Sequence, residues 1–461
     1  MTLWLALAAL LAGAPPPAPQ ALVGATLVDG TGAAPVPKAT VVVRDGRIEC
    51  AGRDCKVPQG AVVTDVSGTW ILPGLIDAHV HFSQTGWADG RPDSFDVRDR
   101  FPYEKAESDL ALHPEKIFRA NLCSGVTSVF DNGGYAWTID MARRKRDDPN
   151  APRVAAAGPL LSTIDFWLNL PAERQFLHLT DPDTARTNAK YLSARGADAI
   201  KVWFIVTPAQ TVEASTPAVR AAGEEAHRLG LPLIVHATGL AEAKVALQAG
   251  AHLLVHSVWD FPVDDEFLRL AKTNGTIYCP TLTVMNGYVR LTRSAASGTP
   301  PVVDDPGRCV DRALVERITT PGVLPGGEAE QVQRMEKAFG EMSATMAANL
   351  KRVADAGIPI AMGTDAGNPL TLHGPAVYAE MEAMQAAGLS PMQVIVASTR
   401  GGSQAMGAEK ETGTLEKGKS ADLIVVEADP TRDVANLRRL RGVMRAGVWH
   451  AQSDLRAPTS P

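Results

Sequence analysis

Between residues 71 and 362 the chain alternates short apolar runs with longer stretches rich in Ala, Glu, Arg and Leu. Eight of the apolar runs have the length of strands: 71–78, 126–130, 153–157, 199–204, 231–235, 252–255, 276–278 and 358–362. The stretches between them read as helices. Strands covered by helices on both faces lose the apolar–polar alternation of a half-exposed sheet and become continuous apolar runs. Eight such strand–helix units predict an α/β fold of the (β/α)8 TIM-barrel type.

The two ends are patterned differently. Short β-like runs at 21–28, 40–43, 47–50 and 61–66 come first, with Asp45-Gly46 as a hairpin signal between two of them. A matching block follows the middle, from Gly413-Thr414-Leu415 to the apolar run 421–426. Together they predict a small β-sandwich built from both chain ends. The expected domains are therefore 21–68 with 408–455 for the sandwich, and 69–407 for the barrel. The longest irregular stretch, 284–327, is rich in Pro and Gly and follows the seventh strand. Loops after barrel strands lie on the active face, so it reads as a lid.

Residues 1–20 belong to neither unit. Met1 to Ala14 is an apolar run ending in Ala12-Gly13-Ala14, the form of a secretory signal with its cleavage site, and the Pro-rich stretch from Pro15 to Pro19 reads as a stiff linker. The run is too short to span a bilayer. It lacks a preceding Lys or Arg, and Pro15 follows the site directly. Export to a periplasm or beyond is the expectation, with the cytoplasm as the alternative.

Charge excludes one class of partner. Lys plus Arg total 45 against 51 Asp plus Glu, a net charge of -6, and the one basic run, Arg143-Arg144-Lys145-Arg146, reads as a solvated helix end. Nucleic acid is not expected. A small-molecule substrate is, and a homo-oligomer is left open. The five cysteines allow Cys50–Cys55 and Cys279–Cys309 pairs with Cys123 left over, or five reduced thiols.

The chemistry concentrates at strand ends. His79 and His81 flank Val80 at the end of the first run, and the two-residue period of a strand puts both imidazoles on one face. His236 ends the fifth run and His256 the sixth, each one step past an apolar stretch. Four histidines at equivalent rim positions are poorly explained as core residues, because barrel sites are assembled from strand ends. Lys201 lies inside an apolar strand, where an unpaired ammonium costs several kcal/mol. It needs either a buried carboxylate or reaction with carbon dioxide, which converts it to a carboxylate-like carbamate. Asp365 follows Gly363-Thr364 after the eighth run, as a helix cap or as a metal ligand and proton carrier.

Gly74-Leu75-Ile76-Asp77-Ala78-His79-Val80-His81, the strand lysine, the two strand-end histidines and Gly363-Thr364-Asp365 together resemble the amidohydrolase superfamily. The segment 234–256 is most similar to its Xaa-Pro dipeptidase and imidazolonepropionase-related group. The resemblance implies His79, His81 and Asp365 at a more buried metal, and His236 and His256 at a second, with carboxylated Lys201 bridging them. Imidazole and carboxylate ligands suit two divalent ions, zinc first, with manganese, cobalt or iron as alternatives. A metal-bridging hydroxide would attack an amide or peptide-like C–N carbonyl, with Asp365 as the catalytic proton carrier. Cyclic amides, esters and lactones are alternative substrates, and a catalytically inactive protein of this fold is a third reading. The chain departs from peptidase members at Thr238, Ser257 and Ala157-Gly158-Pro159, positions at which a peptide carboxylate would be gripped. Pocket walls are expected from 82–103, 160–179 and the lid; Trp87, Phe166 and Trp167 suggest an apolar substrate portion, and aromatic core packing explains them equally well. Substrate-binding residues are otherwise not assigned by sequence.

The N-terminal run yields a direct test. Protein recovered from its host's exported fraction is expected to start after Ala14; an intact Met1 on cytoplasmic protein would reject export.

Overall fold

The computed structural model describes residues 18–458. The signal-like run, its cleavage site and most of the Pro-rich linker lie outside the described residues. Among the described residues no helix is long and apolar enough to cross a membrane.

The first five strands are β1 (Gln20–Leu27), β2 (Val36–Arg44), β3 (Arg47–Gly52), β4 (Val62–Asp65) and β5 (Trp70–Pro73). Then come β6 (Leu75–Val80), β7 (Val126–Asp131), β8 (Arg153–Ala156), β9 (Leu160–Ser162), β10 (Phe176–His178), β11 (Ile200–Trp203), β12 (Leu233–His236), β13 (Leu253–Val255) and β14 (Ile277–Cys279). The last three are β15 (Leu423–Val426), β16 (Leu440–Arg445) and β17 (Val448–Ala451).

Strands from both ends form one eight-stranded sheet, in the order β17-β16-β15-β5-β1-β2-β3 with β4 beside β1. Asp45 and Gly46 take φ of 51° and 73° between β2 and β3, the left-handed pair that a tight two-residue hairpin demands. The apolar sides of these strands meet in one cluster that includes Leu22, Val41, Ile48, Ile71, Leu423 and Met444. A buried arginine, paired within this sheet, ties it to the rest. Arg445 reaches Asp422 at 3.2 Å, both side chains nearly inaccessible, and also donates to the carbonyls of Ala151 and Arg146. Truncating one partner of such a pair leaves an uncompensated buried charge, at a cost of about 3–5 kcal/mol.

The middle is a parallel α/β array, with β6-β7-β8 as one ladder and β10-β9-β11-β12-β13-β14 as another. Backbone hydrogen bonds continue across both seams. Asp198 donates to Ala156 at 2.9 Å between β8 and β11. On the other side the extended segment 359–366 lies between β14 and β6. Tyr278 donates to Pro359, Ala361 to Tyr278, Ala78 to Met362 and Asp365 to His79, all within 2.7–3.0 Å. Small and medium apolar side chains from these strands, among them Ala78, Phe130, Ala199, Ile234, Leu253, Ile277 and Ala361, pack into a core of their own.

Three expectations need correction. The first run, 71–78, is two strands. Up to Pro73 the chain pairs antiparallel with β15; from Leu75 it pairs parallel with β7. Gly74 is the joint, where any Cβ would overlap the Thr127 side chain. The irregular stretch 284–327 contains helices at Val284–Ser297 and Arg312–Thr319. Its Pro and Gly fall mainly at 298–307 and 321–327, while Val289, Leu291 and Ala295 supply a buried helical face before them. Cys309 pairs with Cys123, not with Cys279. Cys279 is buried at the end of β14 among the strand interiors, and Cys309 lies on the excursion outside. Cys50 and Cys55 are paired.

The Cys123–Cys309 bridge spans 186 residues and ties the excursion after β14 to the helix Glu115–Cys123. Chain-entropy reasoning makes long closures the more stabilising ones, typically by about 2–4 kcal/mol. Denatured, unreduced protein from an oxidising compartment should show one free thiol. Cys309→Ser should lower the melting temperature clearly, whereas five titratable thiols and an unchanged melting temperature would refute the staple.

Candidate metal centre

All six residues singled out by sequence stand at or just below the same rim. The ladder registers fix their heights. Trp203 is opposite His236, and His236 is opposite Val255, one residue before His256. Lys201 pairs with Ile234, two residues deeper than His236, roughly 6–7 Å along the strand. Its long side chain still reaches the cavity that His81, His236, His256 and Asp365 line.

Two of the ligand candidates sit on backbone that side chains rarely adopt. Asp365 has φ of 62° and His256 of 74°. Each turns its side chain inward where the strand would otherwise leave the rim, and each is held by the neighbouring strand. The Asp365 N–H donates to His79 O, and the His256 N–H to Cys279 O. Gly363 lets the segment approach this closely, since a Cβ there would meet His79 and Cys279 Sγ. Asp77, fully buried, accepts from the Thr364 hydroxyl at 2.6 Å and from the Thr364 and His79 N–H groups. Left-handed strain of about 1–3 kcal/mol per residue is kept only where the surroundings over-determine it, commonly at functional sites.

His79 Nε2 lies 3.3 Å from His81 Nε2 and 3.4 Å from Asp365 Oδ1, and His81 Nε2 lies 3.0 Å from the same oxygen. Ligand atoms of His79, His256 and Asp365 all fall within 4.8 Å of one another. The His236 ring is 4.2 Å from that of His256. His81 Nδ1 is 2.6 Å from Gly133 O, and a carbonyl only accepts, so Nδ1 carries a proton. That bond holds the ring with Nε2 facing the Asp365 carboxyl oxygen. His256 Nδ1 is similarly bonded to Thr281 Oγ1 at 2.8 Å. Burial holds the pKa values of His79 and His236 well below the usual histidine value and that of His256 at about 4, so all three are neutral at pH 7. The site therefore gathers three neutral imidazoles, the His81 ring and a carboxyl group in one largely buried cluster. Tetrahedral ligands about 2.0–2.1 Å from a zinc ion stand roughly 3.3 Å apart. The observed spacings match, so the donor set fits a divalent metal.

Lys201 is 1% exposed, and burial lowers its pKa to about 8 against the pull of Asp365, Cys279 and Asp131. Among the described residues it makes no ion pair, so the bland solution of a carboxylate partner is not the one adopted.

The cavity above the site holds about 370 Å³ and is walled by Phe166, Phe176, Trp203, Trp259 and Met285, an ordinary size and lining for a small-molecule site. Phe166 lines the cavity; Trp87 takes the core-packing alternative, and Trp167 takes neither. Trp87 is 1% exposed and packs with Leu291 and Ile318, while Trp167 is half-exposed beneath Arg98. Arg91, Tyr288 and Asn368 also line the cavity and carried no sequence signal beyond nearness, Asn368 being three residues after Asp365.

The family model described as Amidohydrolase family matches residues 70–449. An imidazolonepropionase of Ralstonia nicotianae is 25% identical, over 91% of this chain and 94% of its own length. Two solved structures share the fold. A Xaa-Pro dipeptidase with bound methionine has a TM-score of 0.71 at 20% identity, covering 94% of this chain and 100% of its own. Molinate hydrolase has 0.72 at 23% identity, covering 97% of both.

The outer support of the site is testable by itself. Thr281→Val removes the oxygen that orients His256, and such outer partners are typically worth 10–100-fold in metal affinity. Competition with a chelator should show that loss in Thr281→Val but not in Thr281→Ser; equal affinities would mean Thr281 does not orient the ring.

Proposed function

Because the chain belongs to the amidohydrolase family, we propose that this enzyme hydrolyses an amide or peptide-like C–N bond of a small molecule with two divalent metal ions. The observation that carries this reading is the convergence of His79, His81 and Asp365, whose ligand-type atoms lie 3.0–3.4 Å from one another, with His256 within reach of the same point. His79, His81 and Asp365 would hold the deeper ion, His236 and His256 the outer one, and carboxylated Lys201 would join them. The rim belongs in this proposal to a closed (β/α)8 barrel, supported by the hydrogen bonds across both seams.

When bound, the ions would supply hydroxide near neutral pH and Lewis acidity toward a substrate carbonyl. The chain does the rest. Lys201 is set up for carbamate formation, because burial favours its neutral amine, which adds to carbon dioxide through nitrogen and gives up a proton. Asp365 takes the proton of the attacking water and returns it to the leaving nitrogen. The aromatic walls exclude water from the substrate's apolar part. Opening of a cyclic amide uses the same steps, and the imidazolonepropionase relatives favour it as a second reading.

Metal analysis, chelation and a panel of N-acyl amino acids, dipeptides, lactams and lactones test the reading together. Two ions per chain and chelator-sensitive C–N hydrolysis are expected; a metal-free protein, or turnover of lactones alone, would refute it. Asp365→Asn should keep the fold and most of the metal and slow kcat by roughly 10²–10⁴. Lys201→Ala should lose metal and activity, with partial rescue by short carboxylic acids.

A further inference from the structure

Besides Lys201, whose ammonium burial disfavours, and the histidines, the cavity is lined by one basic side chain, Arg91. Arg91 comes from the long connection after β6, and its side chain is only 16% exposed. Asp93 grips it bidentately, taking Nε at 2.8 Å and Nη2 at 2.7 Å. Nη1 donates to Asn368 Oδ1, and the guanidinium lies over the Tyr288 ring, 5.9 Å from its centre. The Tyr288 hydroxyl donates to the same Asn368 oxygen at 2.7 Å. Asn368 Nδ2 in turn donates to the Asp365 carbonyl at 3.0 Å, so the cluster is tied directly to the metal centre.

A guanidinium carries five N–H donors. Asp93 uses two and Asn368 one, and among the described residues no acceptor takes the other two. The fork is thus immobilised on one edge and free on another, beside the cavity. Glu242, the lining carboxylate besides Asp365, is engaged with backbone N–H groups at the start of its own helix and does not serve it. Across the cavity stand Phe166, Phe176 and Trp203, in mutual ring contact at 5.0–5.1 Å.

We propose that Arg91, fixed by Asp93, Asn368 and Tyr288, is the carboxylate-binding group of the substrate pocket, and that the substrate is an amide of a bulky apolar or aromatic amino acid with a free carboxylate. The inference rests on the proposed amide hydrolysis and deepens it. An immobilised planar fork suits a carboxylate better than a lysine does, because its donors are pre-aligned. It also supplies what the chain's departures at Thr238, Ser257 and Gly158 leave open, a cationic grip on the carboxyl end of a peptide-like substrate.

The test compares N-benzoyl-L-phenylalanine with its carboxamide. Wild-type enzyme should favour the acid in kcat/KM, mostly through KM, and Arg91→Gln should reduce that acid-to-amide preference by about 10–100-fold, the worth of a charged hydrogen-bonded contact. Arg91→Lys, which keeps the charge and loses the fork, should lose part of the preference and serves if the Gln variant does not fold. A merely structural Arg91 would lower both substrates alike and leave the ratio unchanged, which would overturn the assignment. Calorimetry with L-phenylalanine and L-phenylalaninamide separates this from the reaction itself. If no amide is turned over, tighter binding of the acid that Arg91→Gln abolishes still supports the subsite, and equal binding of the pair refutes it.

Discussion

Ligand-type nitrogen and oxygen atoms pressed together in a buried cluster are the constraint on which this structure turns. His81 Nδ1 is committed to Gly133 O, and its Nε2 meets the Asp365 carboxyl at 3.0 Å. Crowding polar groups in a low-dielectric interior is costly, since each has lost its water. A cation removes the penalty at once. The framework resists relaxation in the meantime: Asp77 clamps Thr364, two strained backbones turn Asp365 and His256 inward, and Gly363 lets the strands close. Preorganisation of this kind places the cost in folding instead of in each turnover.

The cavity adds a second asymmetry. Its floor is made of metal-type donors, one wall is aromatic, and the opposite side offers a held guanidinium. A ligand meets three chemistries separated in space, so orientation follows from matching its groups to the walls. Asn368 links the Arg91 guanidinium to the backbone of Asp365 through one side chain.

Much of this was legible in the sequence because the candidate metal-binding side chains stand at strand ends, and strand ends follow from apolar runs. His236 and His256 each lie one step past such a run, and the structure places both beside the cavity. Local patterning could not show that Pro73 and Gly74 divide one apolar run between two sheets, because the division depends on β15, far along the chain. Nor could it locate Cys309 beside Cys123, since nothing near either cysteine encodes where the excursion after β14 travels. Trp87 and Trp167 stay undecided in the sequence for a related reason. An aromatic residue on an active-face loop can serve a loop's own core or the surface as readily as a pocket, and sequence does not say which.

The shared sheet also sets the order of events during synthesis. β1 finds β2, β4 and β5 within its own neighbourhood, so the N-terminal part of the sheet can assemble early. The partner of β5 on its other side is β15, which begins at Leu423. At ribosomal speeds of about 5–20 residues per second, the roughly 350 residues between them take on the order of 20–70 s to emerge. Throughout that interval Ile71 and Leu72 occupy an open strand edge, the kind of surface that recruits other chains. The nascent protein therefore spends much of its birth with a sticky border that only its own last strands can cover.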